Sequence, residues 1–228
     1  MSRIDDWLGS YLGQWPPRAP VDVVGSPRRD DPAWDGTLRP VTGVVAPGLG
    51  VVLSVPPAIA DTVRAIGDGW RSPAFGARLA ELLGRDPATH VLDGEGVFRW
   101  AEHVPGRDPL GEWVTPDDPR VPVWLRPFNG GVLCAWDDDG AYVAGVGIKQ
   151  HDALGQEIAV GTEPAARGRG LARRLVVTAA REILDRGAVP TYLHAPDNVA
   201  SAHVAEAAGF ADRGWRFVGL WPRDELHS

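Results

Sequence analysis

The sequence predicts an α/β fold, and two features of its second half carry that expectation. Beyond residue 120, strand-like and helix-like segments follow one another as β-β-β-α-β-α-β, the order of an α/β domain. The longer helical segment, Leu171 to Arg186, has an apolar stripe through Ala172, Leu175, Ala179 and Ile183 and a Gly187 stop. Before residue 120 the chain is rich in Pro and Trp and broken by turn signals, which sets residues 1–120 apart as an N-terminal region and 121–228 as a second domain.

Taken in order, Val51-Val52-Leu53-Ser54-Val55 reads as a strand ended by Pro56-Pro57. Ala58 to Gly67 carries Ile59, Val63 and Ile66 at helical spacing, and Phe75 to Leu83 places Leu79, Leu82 and Leu83 on one face before Gly84. Gly106 to Pro122, with prolines at 109, 116, 119 and 122 and Pro105 just before it, reads as a loop and linker. Val132 to Trp136 and Tyr142 to Ile148 are strands joined at a turn through Asp137-Asp138-Asp139-Gly140. Glu157 to Thr162, Val189 to His194 and Trp215 to Leu220 are the remaining strands. Val199 to Ala208 is a helix entered at Asp197 or Asn198 and left at Gly209.

Bulk properties exclude several function classes. A net charge of −7 argues against nucleic-acid binding, which needs a basic face. It is compatible with a cationic amine, and equally with a merely soluble surface. Gly, Pro or charge interrupts every apolar run, so no membrane span is expected. The start of the chain is acidic almost at once, unlike a signal peptide. Cys134, the one cysteine, excludes an internal disulfide and a Cys-based zinc cluster, and no metal site is expected. Together these predict a cytoplasmic protein.

Chemistry concentrates at Thr162-Glu163-Pro164-Ala165-Ala166-Arg167-Gly168-Arg169-Gly170-Leu171-Ala172. A strand gives way to a Gly-rich turn and a long helix, and a helix start offers unpaired N–H groups to an anion. Gly168 and Gly170 let the backbone curl, while Arg167 and Arg169 add charge. The ATP loop would need Lys-Ser/Thr where Leu171-Ala172 stand, and the dinucleotide fingerprint would need Gly where Arg173 stands.

Arg167-Gly168-Arg169-Gly170-Leu171-Ala172 resembles the pyrophosphate motif of the GNAT acetyltransferases, Gln/Arg-x-x-Gly-x-Gly/Ala, with Pro164 where that family commonly has proline. Asn198 through Gly209-Phe210 is similar to a second block of the family at its usual spacing. The resemblance covers Val132 to Leu220. It implies a mixed, mainly antiparallel sheet splayed between two central strands, flanked by helices, with the N-terminal region as an extension, subdomain or lid helping to form an acceptor pocket. It further implies acetyl transfer from acetyl-CoA to a primary amine on a small molecule or peptide. A homodimer is an allowed assembly.

By the same resemblance, backbone groups of Ile158, Val160 and Thr162 would bind the pantetheine arm, and one of their N–H groups would polarise the thioester. Arg167, Gly168, Arg169, Gly170, Leu171 and Ala172 would hold the diphosphate, with Asn198 and Ser201 opposite; Asn198 reads equally as a helix N-cap. Glu157 and His194 are the candidates for general base, each with a plain structural alternative. His151 and His103 are weaker candidates. Many relatives place a tyrosine acid where Ala205 stands, so Ser201 or water would protonate the leaving thiolate. That gap keeps a second class open, a catalytically weak acyl-CoA-binding sensor. Trp113, Trp124 and Trp136 read as packing residues, Trp124 being the best placed to wall an acceptor pocket. Cys134 reads as a small core residue.

Overall fold

Ser2 opens the chain's first helix with a reciprocal cap, its hydroxyl accepting from the Asp5 N–H at 3.4 Å while the Asp5 carboxylate accepts from the Ser2 N–H at 3.1 Å. Helix α1 (Arg3–Leu12) buries Ile4, Trp7, Leu8, Tyr11 and Leu12. The structure, a computed structural model, describes residues 2–67, 69–106 and 109–225. Its chain divides into two units, residues 1–97 with 214–228, and residues 98–213.

In the first unit, β1 (Val21–Gly25) pairs in parallel with β3 (Gly50–Val55), which pairs antiparallel with β2 (Thr42–Ala46). The chain's last strand, β10 (Arg216–Pro222), returns to lie between β2 and the first eight residues of β4 (His90–Trp100). Helices α2 (Ala60–Ile66) and α3 (Pro73–Leu82) contribute Val63, Phe75 and Leu79 to a core shared with Val23, Leu53 and Val218. The expected strand at 51–55 and both expected helices are present. Helix α1 and strands β1, β2 and β4 were not among the expected elements.

The second unit carries the expected β-β-β-α-β-α series: β6 (Val132–Trp136), β7 (Tyr142–Gln150), β8 (Gly155–Thr162), α4 (Leu171–Asp185), β9 (Val189–His194) and α5 (Val199–Ala207). The Asp137 turn closes as expected, with Asp137 N–H donating to Ala141 O at 2.9 Å. Its sheet is mixed: β6, β7 and β8 run antiparallel, and β8 and β9 run parallel. Helix α4 buries Leu175, Val176, Ala179 and Ile183 in one core with Leu133, Val146, Ile148 and Ile158.

Two expectations are corrected. The Pro-rich stretch 106–122, of which residues 107 and 108 lie outside the described residues, is not all loop. Its β5 (Glu112–Val114) pairs with β6, setting Trp113 against Leu133 and Val114 against Val132. The units also divide after Val97 rather than at residue 120, because β10 finds its partners in β2 and β4. Among the described residues, no helix is long and apolar enough to cross a membrane.

Candidate active site

The site begins where two parallel strands part. Strands β8 and β9 pair at Gly155↔Val189, Gln156↔Pro190 and Glu157↔Thr191, and among the described residues their pairing ends there, although β8 continues to Thr162 and β9 to His194. The β7–β8 ladder decides which backbone groups face the gap. Antiparallel partners exchange both hydrogen bonds at alternate positions. Glu163 N–H donates to Val143 O at 2.9 Å, so Gly161, Ala159 and Glu157 share its parity and turn toward β7. The N–H and C=O groups of Ile158, Val160 and Thr162 therefore point the other way, toward β9 and the gap.

The gap leads to the start of α4. Pro164–Ala166 makes one tight turn, and Gly168 and Gly170 take the left-handed conformation at φ of 75° and 73°. Side chains with a Cβ resist that conformation, and no atom lies within 4 Å of where either Cβ would stand, so the space in front of the loop is open. Among the described residues no side chain caps α4, leaving its first N–H groups as anion donors at the positive end of the helix dipole.

A cavity of about 610 Å³ joins these parts, lined by Val160, Thr162, Arg167, Gly168, Gly170, Leu171, Ala172, Asn198 and Ser201 among others. These are nine of the residues expected to hold the cofactor. The other two, Ile158 and Arg169, are not among its lining residues; Ile158 sits in the core where the strands diverge. Thr162 Oγ1 is buried without a hydrogen-bond partner among the described residues, an acceptor and donor aimed at no protein group. Open backbone donors, an arginine and an orphaned hydroxyl along a mostly apolar channel suit an elongated diphosphate with an amide-bearing arm. Coenzyme A has that chemistry.

The candidate catalytic side chains are arranged less evenly. Glu157 is 7 % exposed and projects from the face of β8 opposite Ile158 and Val160. Its carboxylate meets Lys149 Nζ at 2.5 Å and His151 Nε2 at 3.6 Å. Burial pushes its pKa up, but Lys149 and His151 together outweigh burial and hold it down at about 2. His151, which the sequence ranks low, thus stands beside one of the two leading candidates. On the same face Gly161 makes room for the Trp124 ring, since a Cβ there would come within 2.8 Å of it. Trp124 is 40 % exposed and edge-on to Phe128.

His194 is engaged at both ring nitrogens. Arg99 Nε lies 3.1 Å from its Nε2, and a guanidinium only donates, so Nε2 accepts. Nδ1 then carries the proton and donates to Ala195 O at 2.8 Å. Arg99 is buried and also reaches Phe210 O at 3.0 Å and the Glu206 carboxylate at 2.9 Å. Sequence reasoning missed Arg99, which lies 95 positions from His194 with no local pattern linking them.

Asn198 is the α5 N-cap, its Oδ1 accepting from Ser201 N–H at 2.9 Å, and it also lines the cavity. Cys134 is fully buried and burial pushes its thiol up to about 11, out of reach of nucleophilic chemistry.

The profile of the Acetyltransferase (GNAT) family matches residues 98–210, nearly the whole of the second unit. A mycothiol acetyltransferase of Nocardiopsis dassonvillei is 25 % identical over 118 residues, which cover 51 % of this chain and 32 % of that protein. The chain therefore spans about a third of the length of the curated relative it matches. A crystallised protein of Novosphingobium aromaticivorans assigned to the GNAT family is 24 % identical, with a TM-score of 0.49 over 65 % of this chain and 80 % of that one. A tandem GNAT protein from the clavulanic acid biosynthesis pathway is 18 % identical, with a TM-score of 0.49 over 96 % of each chain.

Proposed function

Since the chain belongs, through residues 98–210, to the acetyltransferase (GNAT) family, we propose that it transfers an acetyl group from acetyl-CoA to a primary amine. The observation that carries this reading is the early end of the β8/β9 pairing beside an uncapped helix start. The diphosphate would take the N–H groups from Gly168 to Ala172 with Arg167 beside it. The pantetheine arm would run along β8 as a substitute strand on Val160 and Thr162. One of their N–H groups would then stabilise the oxyanion formed when the amine attacks the thioester.

The amine must be neutral to attack, and its proton must leave. We assign the acceptor to the face of β8 that carries Glu157, with His151 and Trp124 beside it. Glu157, held ionised at about 2, is too weak a base to act alone near neutrality. It serves by orienting His151 and an amine or water beside it. His194 is less suited, because its Nε2 lone pair is already taken by Arg99.

Thiol release from acetyl-CoA, measured with a panel of diamines, aminoglycosides, amino acids and peptide N-termini, tests the reading. Saturable release with at least one amine supports it. Coenzyme A binding without release from any of them makes the protein an acyl-CoA sensor instead.

A further inference from the structure

Acyl transfer from a thioester leaves a thiolate that needs a proton, and the walls of the cavity offer few donors. Among the described lining residues there is no Asp, Glu, Lys or Cys. Ser201 and Thr162 carry hydroxyls far too weakly acidic to give up a proton unaided, and His203 is exposed at the rim. The remaining acid is the phenol of Tyr192.

Its placement is specific. Tyr192 directly follows Thr191, the last residue of β9 paired with β8, so it stands at the apex of the gap where the reacting end of an extended ligand must lie. The ring is 2 % exposed and packs on Phe210 at 5.8 Å, which fixes where the hydroxyl points. The Ser201 side chain stands close enough to the hydroxyl to favour its ionised form, and both residues line the cavity. Asn198 in turn fixes Ser201 in the first turn of α5.

Resting on the acetyl-CoA reading above, we propose that Tyr192, held by Ser201, is the acid that protonates the coenzyme A thiolate as it leaves. As the amine nitrogen bonds to the acetyl carbon, the C–S bond breaks and its electron pair stays on sulfur. Sulfur takes the Tyr192 Oη proton. The phenolate accepts a hydrogen bond from Ser201 and regains a proton from the one shed by the amine nitrogen, passed through solvent. The products are the amide and the free thiol, with no other reactant. Burial, the largest influence on the phenol, raises its pKa and keeps it protonated at rest, while Ser201 and the charge of Arg99 favour the ionised form that the step creates. Arg99 is then a positioning residue, tied to the strand end through His194 and, through Phe210 O, to the residue whose ring packs on Tyr192.

Calorimetry with coenzyme A and with desulfo-coenzyme A, which lacks the sulfur, reads this contact without any acceptor. The wild type is expected to bind coenzyme A about fivefold tighter than the desulfo analogue, the worth of one net hydrogen bond. Tyr192→Phe keeps the packing ring, and is expected to bind both equally, at the wild-type affinity for the analogue. With an amine that the wild type acetylates, the variant's kcat falls about 100-fold while its KM for acetyl-CoA stays within about twofold. Ser201→Ala shows the same pattern, more weakly. A Tyr192→Phe protein that still prefers coenzyme A, or that turns over at the wild-type rate, overturns the proposal and leaves the cofactor site standing. A wild type that binds neither compound removes the cofactor reading and this proposal with it.

Discussion

Each unit contains a parallel pair of strands, one of which runs into a proline-led tight turn and a helix, and the two are built to opposite ends. In the first unit β1 and β3 stay paired through all five positions, from Val21↔Val51 to Gly25↔Val55. The turn Pro57–Ile59 runs straight into the seven-residue α2. Gly25 lets that turn close down on the strand, since a Cβ there would stand 3.1 Å from both Ala60 Cβ and Pro57 Cα. In the second unit β8 and β9 pair at three positions and part. Between the turn Pro164–Ala166 and the fifteen-residue α4 stand Arg167-Gly168-Arg169-Gly170, which curl the backbone through two left-handed residues. A closed pair with its helix pressed on it is a piece of core. An open pair with a loop held off it leaves room, which on the proposed reading receives something extended and anionic.

That contrast breaks most visibly at Gly170. Valine there is strained at a φ of 73° and puts two methyls in the open cradle, so coenzyme A affinity should fall about 100-fold by calorimetry. Pro57→Ala, at the matching turn of the closed pair, should leave that affinity unchanged. Equal losses from the two would erase the distinction.

Glu157→Gln sharpens the comparison on the acceptor face. Thiol release should drop at least about tenfold with coenzyme A affinity intact, since the residue does not line the cavity. The same variant has a stability signature. A carboxylate depressed to about 2 from an ordinary 4.5 binds fewer protons folded than unfolded between those values. Its stabilisation is therefore complete above pH 4.5 and lost as pH falls toward 2. Urea midpoints should decline across that window less steeply in Glu157→Gln than in the wild type.

The smallest effect belongs to the closed pair. Gly25→Ala must shift Ala60 or Pro57 by a few tenths of an ångström and should cost about 1 kcal/mol in urea denaturation. Thiol release and coenzyme A binding should not change.

What the sequence disclosed follows the range of the interactions involved. The β8–α4 junction and α5 were legible because their signals are local: Gly168 and Gly170 before an apolar stripe, Asn198 before a short helix and Gly209 after it. The Ser2/Asp5 cap of α1 was equally local but was read only as an acidic start. Strand β4 hid behind Asp93, Gly94, Glu95, Gly96 and Arg99, which spoil any apolar alternation. The partners of β10 and the contact of Arg99 with His194 are long-range, and no spacing rule encodes them. So nine of the residues expected to hold a cofactor line one cavity, whereas the environment that leaves His194 occupied and Glu157 deeply ionised needed the folded chain.

The central claim is that the open pair and the α4 start receive a diphosphate. Titrating the intact protein in a calorimeter with coenzyme A and, separately, with pantetheine tests it most directly, because pantetheine keeps the arm and lacks the diphosphate. Coenzyme A should bind at least about 100-fold tighter, a difference of about 2.7 kcal/mol. Equal binding of the two, or no heat from either, would contradict the account.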